Sequence, residues 1–192
     1  MPPGDTRQRM IETASRLFQR DGYHATSWRG LVEEAQAPWG SIHHHFPGGK
    51  EELGVAAIEA GSDAVAAAIT YAFASTRTPA GAIERLFSTS AALMEASGYE
   101  TACPVASVAV ASAHESPALT TASRTAFRRW EDELADRLAA GGVPRRRAPA
   151  LAGHVMTLLE GALVRARVHG SAQPLRDAGS LAADLVRQAA AP

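Results

Sequence analysis

Apolar residues recur every three to four positions through most of this chain, a spacing that predicts helices and almost no strand. Met10, Ile11, Ala14, Leu17 and Phe18 form the inward side of a first helix running roughly from Asp5 to Arg20. Thr26 and Ser27 offer hydroxyls to cap a second helix, with Leu31, Val32 and Ala35 inward and Glu33 and Glu34 in water. A turn at Gln36-Ala37 precedes a third helix of about eight residues, opened by Pro38, where a missing N–H costs nothing. Its apolar anchors are Ala37, Ile42 and Phe46. A helix that short is marginal alone, so its neighbours must hold it and its other face is left for a partner.

The pattern continues in longer helices punctuated by proline and glycine. A fourth starts near Lys50, reaches about Ser75 and links the two regions. Thr78-Pro79 opens a fifth that ends near Gly98, and Cys103-Pro104 to His114 is a short sixth. Pro117 to about Ala140 is a seventh, closed by Gly141-Gly142. Pro144 to Val168 is an eighth, closed by Gly170, and a ninth runs from Leu175 or Asp177 to Ala190. Val105 to Val110 alternates like a buried strand, but a lone strand among helices has no partner, so this segment is read as helix.

The third helix carries the chemistry. On its outer face lie Trp39, Gly40, Ser41, His43 and His44. Gly40 removes a side chain where close approach is needed, and Ser41 has a hydroxyl suited to a base edge or a phosphate. Consecutive helical residues point about 100° apart, so His43, His44 and His45 do not converge on a metal ion.

Charge changes this picture locally. The whole chain has a formal net charge of −1, and the first sixty residues hold more acid than base. Between Glu34 and Glu51 there is no acid at all, and that window holds Lys50, the only lysine, and three histidines. A DNA-facing surface needs a local excess of positive potential, not a basic protein. With so few cations, affinity is expected to be modest.

Residues 6–55 resemble the DNA-binding region of the TetR/AcrR regulators. The resemblance rests on Thr6-Arg7, Ile11, Ala14, Leu17-Phe18, Gly22-Tyr23, Ala25-Thr26-Ser27, Gly40-Ser41-Ile42, His44-His45-Phe46 and Lys50-Glu51-Glu52-Leu53. The double glycine before Lys50, Ala102-Cys103-Pro104-Val105-Ala106 and Leu159-Glu160-Gly161-Ala162-Leu163 with Ala166-Arg167 are similar to the LmrA/YxaF-like subgroup. The resemblance implies an all-α fold: an N-terminal three-helix helix-turn-helix, residues 1–50, and a C-terminal helical bundle for ligand binding and dimerisation, residues 51–192. It also implies DNA-backbone contacts from Ser27, His44 and Lys50; with Thr26 and the outer face of the third helix, the candidate DNA-facing residues are Thr26, Ser27, Trp39, Gly40, Ser41, His43, His44 and Lys50. Two positions depart from the family. His43 stands where a phosphate-contacting tyrosine is usual, and an imidazole can still donate. Trp39 stands where a lysine or another polar residue is usual. It either meets the DNA or folds back on the first or second helix.

For the C-terminal region the resemblance implies an intersubunit four-helix bundle. Leu158, Gly161, Ala162 and Arg165 recur at helical spacing in the eighth helix, and Leu181, Leu185 and Ala189 in the ninth. These stripes serve a homodimer, the intrachain core, or both. Candidates for an effector cavity are Phe87, Met94, Tyr99, Cys103, Phe127, Trp130, His154 and Met156, mostly adaptable apolar walls. They favour a small apolar effector, with His154 as a polar contact. Cys103 is either a redox-sensitive thiol beside Pro104 or an inert buried one. Arg145-Arg146-Arg147 reads as a solvated cluster or an intersubunit ion pair.

Other classes fare poorly. No nucleophile triad, paired carboxylates or glycine-rich phosphate loop is recognisable, so no catalytic residue, cofactor or metal is expected. No stretch of about 18 residues is apolar without a charge, and Met1-Pro2-Pro3-Gly4-Asp5 lacks the features of a signal peptide. One cysteine excludes an internal disulfide and fits a reducing cytoplasm. The sequence therefore predicts a cytoplasmic, effector-released repressor that binds a palindromic operator as a homodimer. The alternative is a helical small-molecule-binding or scaffold protein without DNA binding.

Overall fold

The computed structural model describes residues 3–190, with side chains from Thr6 onward. Met1-Pro2, the start of the segment expected to carry no signal peptide, and Ala191-Pro192 lie outside it. Every regular element among the described residues is a helix: α1 (Pro3–Asp21), α2 (Trp28–Glu34), α3 (Ser41–His45), α4 (Gly49–Ala74), α5 (Pro79–Ala96), α6 (Ala106–Ser112), α7 (Pro117–Ala140), α8 (Ala148–His169) and α9 (Gln173–Ala190).

The contacts divide the chain into two compact units. The first holds the residues through Asp63 together with Cys103–Ala126; the second holds Ala64–Ala102 and the residues from Phe127 onward. Helices α4 and α7 each contribute to both.

In the first unit, α1 supplies buried Met10, Ala14, Leu17 and Phe18, and α2 and α3 supply Leu31, Val32 and Ile42, with Phe46 at the end of α3. Ser27 caps α2 by accepting from the Gly30 N–H at 3.1 Å. The helix ends in a Schellman arrangement: the Ala37 N–H reaches the Val32 carbonyl at 2.9 Å and Gln36 N–H the Glu33 carbonyl at 3.1 Å. That geometry needs a left-handed residue, and Gln36 takes it with φ of 49°. The turn of the helix-turn-helix is therefore made by hydrogen bonding that glutamine tolerates at some cost.

The third helix is shorter than expected. Pro38 does not open it; a turn over Trp39 and Gly40 comes first, and the helix begins at Ser41. The Ser41 N–H and hydroxyl both bond the Pro38 carbonyl, at 2.9 and 2.6 Å. These bonds hold Trp39 and Gly40 outside the helical ladder.

In the second unit, α5 packs against α9 and α9 against α8. Ile83, Leu86, Phe87, Trp130, Leu134, Val155, Leu159, Leu175 and Val186 are buried. Thr78 caps α5 on the Gly81 N–H at 3.1 Å, and α8 closes on left-handed Gly170. α8 starts at Ala148 instead of Pro144, because Arg145–Arg147 form a turn. All three arginines are exposed. Helix α4 is long and apolar enough, on length and composition, to cross a membrane. Its apolar residues Ile58, Ala66, Ile69 and Ala72 are instead buried in the protein, and Thr70 donates to Glu133 at 2.8 Å.

Candidate nucleic-acid interface

The outer surface of the first unit follows from how α3 is held. Ile42 and Phe46 fix it to the core, which leaves Trp39, Gly40, His43 and His44 exposed. Trp39 is 61% exposed, so it does not fold back on α1 or α2. Nothing lies within 4 Å of where a Cβ on Gly40 would sit, so the glycine there is not required by packing. Ser41 is half-buried; its proton is spent on Pro38 and its lone pairs remain as acceptors. Among the described residues no three His, Cys, Asp or Glu side chains cluster as a metal site.

The expected backbone contacts divide. Ser27 is exposed, and its hydroxyl, an acceptor for the α2 cap, keeps its own proton for a second hydrogen bond. Thr26 is a correction: it is 6% exposed, and its hydroxyl donates to the Gly22 carbonyl at 2.9 Å. Its hydroxyl closes the α1–α2 loop and does not reach the surface.

Lys50 is half-buried and turned inward. Its Nζ donates to the His24 carbonyl at 3.3 Å and sits 4.7 Å from the centre of the Tyr23 ring, and burial lowers its pKa. Tyr23 is raised, first by burial and then by Glu51 and Glu115. At the start of α4 Glu52 accepts from the Gly48 N–H at 2.8 Å, satisfying one orphan donor of the helix.

The other cations of this region explain which charge is available. Arg16 pairs with Glu34 at 3.5 Å and Arg20 with Asp21 at 2.8 Å. Arg9 donates to the Ala35 carbonyl at 3.2 Å. Arg7 and Arg29 are exposed, and no described carboxylate pairs with either. Arg7 lies over the Phe46 ring at the end of α3. The sequence showed its charge but not its proximity to the third helix. His45, half-buried and edge-on to His44 at 4.8 Å, has a lowered pKa, first from burial and then from His44 and Arg7.

Seven of the expected effector residues lie in the second unit, and Cys103 lies in the first. Phe87, Met94, Trp130 and Met156 are buried in the second unit. Phe127 is half-buried, edge-on to Trp130 at 5.2 Å. Tyr99 is half-buried and left-handed, with φ of 65°. Cys103 is buried in the first unit, its Sγ 3.4 Å from the Ala106 N–H. His154 is a correction: it is exposed on α8, because the inward positions there are Leu151, Ala152, Val155 and Met156. A surface depression in the first unit, lined by Ala113, His114, Ser116, Pro117, Thr120, Thr121 and Arg124, includes none of the eight.

The expected dimer residues also divide. Gly161, Arg165 and Leu181 are exposed, and Leu158 and Leu185 half-buried. Ala162 is buried in the chain's own core, the intrachain reading of that stripe. Val164 and Val168, the latter 79% exposed, extend the outer apolar face of α8.

Comparison with known proteins gives this helix-turn-helix its relatives. Residues 10–58 match the family model described as bacterial regulatory proteins, tetR family. Residues 79–181 match the C-terminal domain of LmrA/YxaF-like transcriptional regulators. The chain belongs to the TetR family. Within it, the chain is similar to the uncharacterized HTH-type transcriptional regulator YxaF of Bacillus subtilis (strain 168), 32% identical over 172 residues and 90% of each protein. It is similar also to the HTH-type transcriptional regulator LmrA of the same organism, 27% identical over 188 residues, 98% of this chain and 100% of LmrA. Among solved structures, a TetR regulator from Legionella pneumophila superposes with a TM-score of 0.79 at 25% identity, over 94% of each chain. One from Agrobacterium tumefaciens reaches 0.83 at 22% identity, over 99% of this chain and 100% of that one, a likeness of fold. The chain is thus a TetR-family transcriptional regulator of the LmrA/YxaF-like subgroup, all-α, with an N-terminal helix-turn-helix.

Proposed function

We propose that this regulator is a repressor, acting in the cytoplasm, that binds a near-palindromic operator as a homodimer and is released by a small apolar effector. The observation that carries the reading is the outward, acid-free face of α3, on which Trp39, Gly40, His43 and His44 are exposed together. Trp39 and Gly40 enter the major groove, and Ser27, Ser41, His43, His44, Lys50 and Arg7 meet the backbone or base edges. Two heads reading successive groove segments set half-site centres about 34–36 Å apart.

Residues 1–50 carry DNA binding, and residues 51–192 carry effector binding and dimerisation. Support for the dimer is the outer face of α8 and α9, where Leu158, Gly161, Val164, Arg165, Val168, Leu181 and Leu185 are exposed or half-exposed at helical spacing. A second copy would hide that apolar area. Support for an apolar effector is the aromatic and methionine content of the second unit around Phe127 and Trp130. The effector acts only as far as its affinity differs between the DNA-competent and DNA-incompetent states.

The deciding experiment is a titration of the purified chain against DNA from upstream of its own gene and against a scrambled duplex of equal length. Preferential binding of the upstream DNA, at a stoichiometry of two chains or four per site, is the expected result. Equal affinity for both duplexes overturns the repressor reading.

A further inference from the structure

Within the first unit, the α1–α2 loop and the start of α4 are tied to the end of α6 and the segment that follows it. His24 Nε2 lies 2.9 Å from the Ala111 carbonyl oxygen and 3.3 Å from Glu115 Oε2. Both neighbours are acceptors, so this nitrogen carries a hydrogen, whether the ring is neutral or charged. The same residue's carbonyl accepts from Lys50 Nζ at 3.3 Å. Beside it, Ser116 Oγ donates to the Glu51 carboxylate. Leu119 comes so close to α4 that a Cβ on Gly54 would meet it at 2.7 Å. His24 thus grips the last turn of α6 and Glu115 after it with its side chain, and the first turn of α4 with its backbone.

We infer that His24 is a positioning residue for DNA binding. By anchoring the α1–α2 loop to Ala111 and Glu115, it pre-orders the entry to α2 and the placement of Lys50 without itself touching DNA. The loop it fixes leads directly into Ser27, the α2 cap and an expected phosphate contact. A loop already in its bound shape spares DNA binding the entropy of ordering it. The α3 anchors Ile42 and Phe46 are buried elsewhere in the unit, so losing the tie leaves the helix-turn-helix folded. The side chains of His24 and Glu115 are 55% and 64% exposed, so the tie is weak. The strength of the tie caps the effect on affinity.

This inference rests on the DNA-binding reading, and the test separates the two. The full-length chain, His24→Ala and His24→Gln are titrated with operator DNA over a range of salt, with circular dichroism confirming the fold. His24→Ala is expected to bind about fivefold more weakly, the upper end of what one exposed contact contributes. Its salt slope should match that of wild type, because no phosphate contact is lost. His24→Gln, whose amide N–H can reach the same carbonyl, should return to within about twofold of wild type. In the free protein, the imidazole nitrogen spectrum of His24 should show hydrogen on Nε2. Equal binding by wild type and His24→Ala overturns the inference. So do a slope that falls by one phosphate, failure of the glutamine variant to restore binding, or a neutral ring with its hydrogen on Nδ1. A wild-type chain that binds no DNA overturns the DNA-binding reading first, and this one with it.

Discussion

The Arg7 guanidinium lies 5.3 Å from the centre of the Phe46 ring, on the flank of α3. Stacking on a buried aromatic orders the long side chain and leaves its charged edge directed outward. Arg7→Gln should weaken binding to all duplexes alike and lower the salt slope by about 0.9, the share of one phosphate. Measuring log affinity against log salt for operator and scrambled DNA checks this. An unchanged slope places Arg7 outside the interface.

Lys50 is expected to act in two ways, because its Nζ holds the His24 carbonyl while lying at the start of α4, whose amides favour anions. Lys50→Ala should therefore weaken binding and flatten the salt dependence by about one unit of slope. Weaker binding with an unchanged slope makes Lys50 a tie within the protein and not a phosphate contact.

Trp39 and Gly40 should read bases. Gly40→Val fits the free protein, since nothing lies within 4 Å of its Cβ position and its φ is −65°. It should nevertheless block docking while the melting temperature stays near that of wild type. Trp39→Ala should change preference at particular operator positions by roughly 1–3 kcal/mol. Equal losses on specific and scrambled DNA assign Trp39 to the backbone.

In the second unit, a Cβ on Gly179 of α9 would lie 2.6 Å from the Phe87 Cβ of α5. Gly179→Ala is expected to destabilise the chain by about 1–3 kcal/mol through overpacking, read as a shifted denaturation midpoint.

Acid should weaken the fold through His45. Its pKa is lowered in the folded chain, first by burial and then by His44 and Arg7. The unfolded chain therefore binds the proton more readily, and stability falls as pH drops through histidine's ordinary range. Denaturation of His45→Gln at about pH 8 and pH 5 should show a smaller acid loss than wild type. An identical loss in both proteins removes His45 from the acid response.

Much of the helix order was legible because its signals are local. The α7 bounds, Pro117 and Ala140, follow from a proline at one end and a glycine pair at the other. Ser27 and Thr78 cap α2 and α5 as hydroxyls before helical patterns do. The third helix was read too long because Pro38 is equally at home in a turn. The Ser41 hydroxyl decided between the two by bonding Pro38. Motif spacing sets Thr26 beside Ser27 without telling which of the two hydroxyls faces out. The loop bond to Gly22 put Thr26 inside.

The sequence by itself determined the helical class, the turn between α2 and α3, the acid-free window and the family. Each is written in residue type and short-range spacing, where backbone preference and charge act without a distant partner. Only the tertiary structure decided which side of each element meets water. Helical periodicity gives a stripe but not what it packs against, so Ala162 went to the core while Val164 and Val168 stayed outside. It gives a lysine but not its direction, so Lys50 turned to Tyr23 and His24. It also gives Arg7 and Phe46 without their contact, because the packing of α1 against α3 joins residues that no local preference couples.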